Sequence, residues 1–146
     1  MSGSVLVMQN KEMVGLATTE EFIDSIENAY LELGRGRAQD HPKDNQIDHY
    51  YWFNEMAGIV PSINSMGLRV NSATVNVSRK RGNARLGFPG AFSAMAFLFD
   101  IETTELLAIF QDFFLNPIRV AATSAIVTKR LARDDAKVMG LFGTGT

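Results

Sequence analysis

No cysteine occurs among the 146 residues. That excludes a disulfide framework, thiolate ligation of zinc or iron–sulfur clusters, and a cysteine nucleophile. Histidine is almost as scarce. His41 and His49 are too few for a histidine-rich metal site, so no metal is expected. An excess of one charge is also lacking: 14 Lys and Arg against 16 Asp and Glu give a net charge of -2. The summed field therefore favours neither nucleic acid nor anionic lipid as a partner. Long apolar runs are missing too. The longest uncharged stretch, Leu86 to Phe99, has 14 residues and contains Pro89, short of the ~20 that a membrane-spanning helix needs. The first ten residues lack a basic start followed by an apolar run, so no signal peptide is expected and the default compartment is the cytoplasm. What remains, 46% apolar and 21% charged residues, suits an ordinary globular domain with its own core.

Ser4 to Met8 reads as a short strand. Thr18-Thr19-Glu20-Glu21 is a capping box, and Phe22, Ile26, Ala29, Tyr30 and Leu33 follow it as one apolar stripe. A helix is predicted over 18–34, with Gly34 supplying the left-handed residue at its end. Residues 35–48, broken by Gly36, Pro42 and Asn45, read as a loop. Residues 49–75 read as two or three strands, from aromatic His49–Phe53 to the alternating run Gly67–Val75. That alternation predicts a sheet with one face buried and the other reaching something polar. Arg79, Lys80, Arg81 and Arg85 suit a solvated loop better than a phosphate or RNA site in an acidic chain. Ala94–Asp100 and Leu106–Phe110 read as a hairpin about a polar turn. Asn116-Pro117, a cap residue followed by proline, predicts a second helix to about Ala132, whose small residues Ala121 to Ala125 allow close packing.

The last ten residues carry the sharpest signal. Lys137 to Leu141 reads as a strand running into Gly143-Thr144-Gly145. In a dinucleotide-binding unit the first glycine makes the tight turn and the second lets backbone approach the pyrophosphate. A helix N-terminus then supplies N–H groups. Here that helix and the acidic ribose ligand would lie beyond Thr146. Alone, such a pair of glycines more often marks a plain tail after an edge strand. This strand lacks an evident parallel neighbour, which points to part of a longer protein.

Taken together, Leu106-Leu107-Ala108-Ile109-Phe110-Gln111-Asp112, Ile118-Arg119-Val120-Ala121-Ala122-Thr123-Ser124-Ala125, Leu131-Ala132-Arg133 and Gly143-Thr144-Gly145 resemble the ornithine cyclodeaminase/mu-crystallin family. Gly36-Arg37-Ala38, Pro42-Lys43 and Gly67-Leu68-Arg69-Val70 extend the resemblance over essentially the whole chain. It implies an α/β fold. Residues 1–117 would form a substrate-binding and dimerisation domain with a mainly antiparallel sheet and flanking helices. Residues 118–146 would form the connecting helix, first strand and glycine loop of a Rossmann NAD(P)-binding domain. The implied function is NAD- or NADP-dependent oxidation or reduction of an amino or imino acid, or cyclodeamination, with hydride transfer at the substrate Cα. A homodimer formed through the sheet is implied as well. The competing reading is a non-catalytic small-ligand-binding or dimerisation module of mu-crystallin type. The 146 residues alone are expected to be inactive.

The resemblance also assigns residues. Arg119 would bind the substrate carboxylate close to the cofactor, against the plainer reading of a surface arginine paired with Asp112. Arg69 stands where much of the family has a lysine that assists proton transfer. Arginine does not readily release a proton, so carboxylate binding is the role left to it. Lys43 stands where the family has an arginine, and presents a point charge instead of a fork. Cofactor contacts would come from Arg119, Ser124, Gly143, Thr144, Gly145 and Thr146. Val120 replaces a common threonine and removes a hydroxyl that could meet the pyrophosphate. The aspartate that would serve as catalytic acid lies beyond Thr146, leaving no catalytic residue within the chain.

Overall fold

Alternating side chains between residues 51 and 111 build a twisted sheet at the centre of the molecule. The computed structural model describes residues 3–41, 44–47, 51–74 and 92–143, with backbone alone for 44–47, 51, 52, 74, 92 and 93. Strands β4 (Tyr51–Val60), β5 (Ser65–Thr74), β6 (Phe92–Asp100) and β7 (Leu106–Gln111) are successive antiparallel neighbours. Strand β1 (Leu6–Met8) joins the far edge of β7 in parallel. At the opposite edge β4 also pairs with β2 (Gln39–Asp40) and β3 (Asp44–Ile47). The mainly antiparallel α/β arrangement thus stands as the sequence suggested. The segment expected as a loop over 35–48 instead supplies β2 and β3. Without them the edge of β4 would leave N–H and C=O groups unpaired, and an extended backbone satisfies such groups whatever its side chains.

Two tight turns close the central hairpins. Asn64, after a 3-10 turn over Pro61–Ile63, is left-handed at φ 51°, and Thr104 is left-handed at φ 60°. Asp100 holds the second turn, its carboxylate accepting the Thr103 N–H at 2.7 Å and the Thr103 hydroxyl at 3.1 Å. It also accepts the Asn64 amide at 2.8 Å, tying one turn to the other. These bonds, led by that of the Thr103 backbone, hold the Asp100 carboxyl below its ordinary range.

Among the described residues three α-helices accompany the sheet: α1 (Asn10–Met13), α2 (Thr19–Gly34) and α3 (Leu115–Leu131). The capping box of α2 forms as expected. Thr18 Oγ1 accepts the Glu21 N–H at 3.2 Å, and Glu21 accepts the Thr18 N–H at 2.7 Å. The end of α2 differs, because Gly36 and not Gly34 is the left-handed residue, at φ 71°. The deepest position on α2 is also not part of the apolar stripe. Glu32 is buried while Tyr30 and Leu33 are exposed. The Glu32 carboxylate receives Arg37 through Nε at 2.9 Å and Nη2 at 2.5 Å, while its backbone carbonyl accepts the N–H groups of Arg37 and Ala38. One residue thereby fastens the chain leaving α2. Arg37, and more weakly Arg35, hold its carboxyl down at about 2.

Helix α3 begins one residue before Asn116, and its cap is not local. Asn10 Oδ1 accepts the N–H groups of Phe113 at 3.0 Å and Phe114 at 2.8 Å. Its buried positions are Ala122 and Ile126, whereas Val120, Ala121, Ala125 and Leu131 are exposed. Helices α2 and α3 meet through the Arg130–Glu27 ion pair and the hydroxyls of Tyr30 and Thr123, 3.4 Å apart. After α3, the expected strand from Lys137 to Leu141 pairs with no other strand among the described residues. Val138, Met139, Leu141 and Phe142 lie exposed. A run of β-forming side chains cannot make a ladder without a neighbouring backbone.

Candidate functional site

Residues directly opposite one another in antiparallel strands share a face. The register sets Arg69 of β5 opposite Met56 of β4 and Ala96 of β6. One row along on the same face, Asn71 lies opposite Asn54 and Ala94. Arg69 therefore projects from the middle of the sheet, where its neighbours hold the stem and the guanidinium alone can seek a partner.

That partner is Asp112. Arg69 Nε donates to Asp112 Oδ2, and the two side chains are only 19% and 8% exposed, so the pair is largely withdrawn from water. Asp112 sits just past β7, fixed to the sheet by its N–H on the Ala94 carbonyl at 2.9 Å. The sequence suggested Asp112 as an alternative partner for Arg119; the structure gives it to Arg69. The contact uses the Nε edge of the guanidinium. Nη1 and Nη2 make no further hydrogen bond among the described residues, and this second edge has the spacing that accepts a carboxylate bidentately.

Arg119 is the fifth residue of α3 and so lies one turn into the helix. It is exposed, and its Nη2 donates to Asn116 Oδ1 at 2.8 Å. No hydrogen bond joins it to Arg69 or Asp112 among the described residues. Asn116, expected as the helix cap, serves instead as this local acceptor. The hydroxyls of Thr123, Ser124 and Thr128 each donate to the carbonyl four residues earlier, at 3.0, 3.0 and 2.8 Å. Ser124 thus turns its proton to the helix backbone, the usual habit of a helical serine. Gly143 takes φ +89°, a conformation that L side chains rarely adopt. Lys43, the basic residues of 79–85, Thr144, Gly145 and Thr146 lie outside the described residues.

Asn54 and Asn71 escaped the sequence reading. Both are almost completely buried, and Asn71 Nδ2 donates to Asn54 Oδ1 at 2.6 Å. Among the described residues Asn54 Nδ2 and Asn71 Oδ1 have no hydrogen-bond partner. The available signal was the two-residue period from Arg69 to Asn71, which places both polar side chains on one face.

The sequence model of the ornithine cyclodeaminase/mu-crystallin family matches residues 4–146. The chain belongs to this family. Iminosuccinate reductase of Paracoccus denitrificans is 28% identical to it over 97% of this chain and 42% of its own length. The structure of a Paracoccus denitrificans iminosuccinate reductase in complex with NAD+ superposes with a TM-score of 0.76 at 27% identity, covering 91% of this chain and 40% of that one. A Thermococcus litoralis Δ1-pyrroline-2-carboxylate reductase, determined with NADH and L-proline, gives a TM-score of 0.76 at 26% identity, with 91% and 40% covered. The chain therefore spans about two fifths of the length of these relatives.

Proposed function

We propose that this chain supplies the substrate-binding part of an NAD- or NADP-dependent oxidoreductase that interconverts an amino acid and its imine, or of a cyclodeaminase. The observation that carries the reading is the family match over residues 4–146. The cationic side chains give it a chemical form. Arg69, steadied by Asp112 through Nε, offers its Nη edge to the substrate carboxylate, with Arg119 and Lys43 as further cations. A carboxylate fixed in this way sets which face of the Cα is presented, and positioning is the protein's main contribution to such chemistry. When bound, NAD(P) supplies or accepts the hydride. Arg119, Ser124, Gly143, Thr144, Gly145 and Thr146 would hold it. The left-handed backbone of Gly143 fits the tight turn of a phosphate-binding loop.

In this proposal residues 1–117 are the substrate and dimerisation domain, and 118–146 lead into a Rossmann domain. The partner is a second copy of the protein joined through the sheet. The setting proposed is the cytoplasm; among the described residues no helix is long and apolar enough to cross a membrane. Arg69 and Val120, which depart from the more familiar family pattern, favour the second reading, a small-ligand-binding or dimerisation module without catalysis. Nicotinamide fluorescence separates the two, since a module without a cofactor site gives no quenching. In the full-length enzyme, Arg119→Ala is expected to raise KM and lower kcat/KM by about a hundredfold, the loss of one charge-assisted carboxylate contact. A near-normal kcat/KM would remove Arg119 from the site.

A further inference from the structure

Beside Arg69 the same sheet face carries a shallow groove of about 380 Å³. That is within the range of roughly 300–1,000 Å³ found for small-molecule sites. Its floor is the directly opposed pair Gly58 and Gly67, where two missing side chains leave a depression. Met56, Leu98 and Phe110 flank it. Among the described residues Arg69 is the one charged residue in its lining, and Ser65, the one uncharged polar side chain, donates its hydroxyl to the Ile63 carbonyl at 3.0 Å. The groove thus has a cation at one point and apolar walls elsewhere.

We propose that this groove receives the substrate's side chain, and that the side chain is uncharged and apolar, a short alkyl chain or its cyclic imine form. The inference rests on the reading of Arg69 as the carboxylate contact. Gly67 is the next residue on this face of β5, so the carbons of a ligand whose carboxylate sits on Arg69 would come to lie over Gly58 and Gly67. A second carboxylate there would meet Met56, Leu98 and Phe110, and among the described residues the lining of the groove holds no second cation, Arg69 being already shared between the first carboxylate and Asp112. Among amino acids the groove therefore selects norvaline- or proline-like side chains against aspartate.

The test is calorimetric titration of the full-length protein with L-norvaline, L-proline and L-aspartate, with turnover of the matching imines measured in parallel. L-Norvaline and L-proline are expected to bind about tenfold or more tightly than L-aspartate, the discrimination a shaped apolar pocket gives. A Cβ on Gly58 would lie 3.5 Å from the Gln39 carbonyl, an ordinary contact, while one on Gly67 would crowd the Phe97 carbonyl at 3.3 Å. Gly58→Val is accordingly the variant of choice. It should weaken L-norvaline about tenfold. Met56→Lys, which adds a cation opposite Arg69, should reverse the preference toward L-aspartate. Equal or tighter binding of L-aspartate by the unmodified protein, or unchanged L-norvaline binding in Gly58→Val, overturns the groove assignment. If the binding order holds but no nucleotide-dependent turnover is found, the groove stands and the oxidoreductase reading falls. Turnover with the opposite order sinks the groove alone, and no binding of any of the three overturns both.

Discussion

Arg69 and Asp112 illustrate how a single contact divides a side chain between two tasks. The carboxylate takes one edge of the guanidinium and leaves the other for a ligand, at the cost of withdrawing two charges from water. Removing one partner strands the other, so Asp112→Ala is expected to destabilise the fold by about 3 kcal/mol. The double variant Arg69→Met with Asp112→Leu should recover most of that loss, and urea denaturation of the three proteins checks it. At Thr104 the backbone is left-handed although the residue is β-branched and exposed. Asn tolerates that region better, so Thr104→Asn should stabilise by about 1 kcal/mol, read as a raised Tm. Neither feature was visible in the sequence. Asp112 stood as a reasonable partner for Arg119 seven residues away, and only the sheet register brings it to Arg69.

At the level of elements, helix α2 and the four long strands were legible because periodicity and capping are local. Thr18 and Glu21 close their box within one turn. The ends of elements were less legible. Helix α2 stops through Glu32, whose carboxylate and carbonyl both reach forward to the following turn. No apolar-stripe argument assigns a buried glutamate such a role. Its titration gives a signature. The carboxyl ordinarily titrates at 4.5 and is held at about 2 in the fold. Its stabilising contribution is therefore complete above pH 4.5 and is lost as the pH falls toward 2. Glu32→Gln should flatten the fall of Tm across that window, and an unchanged acid limb would show that the Arg37 contact contributes nothing.

For the molecule as a whole, Asn10 ties the first residues of the described chain to the end of β7 and the start of α3. Its amide oxygen caps α3 across more than a hundred residues, and its nitrogen donates to Gln111 Oε1 at 3.1 Å. Asn10→Ala should lower global stability by about 2 kcal/mol, at the upper end for a lost cap, and hydrogen exchange should quicken first at Phe113 and Phe114. Such long-range closure cannot be read from a linear pattern, which is why Asn116 looked like the cap. The buried amides of Asn54 and Asn71 act at this scale too. Turning both amides over exchanges the roles of donor and acceptor and leaves the bond intact, so the pair is indifferent to its own orientation. It is not indifferent to alignment. Sliding β5 by two residues against β4 would set Asn54 against Arg69 or Ala73, separate both amides from each other, and part Gly58 from Gly67. The hairpin therefore carries two independent marks of correct alignment, one polar and one steric. A misaligned copy fails both at once during folding, before any substrate is met.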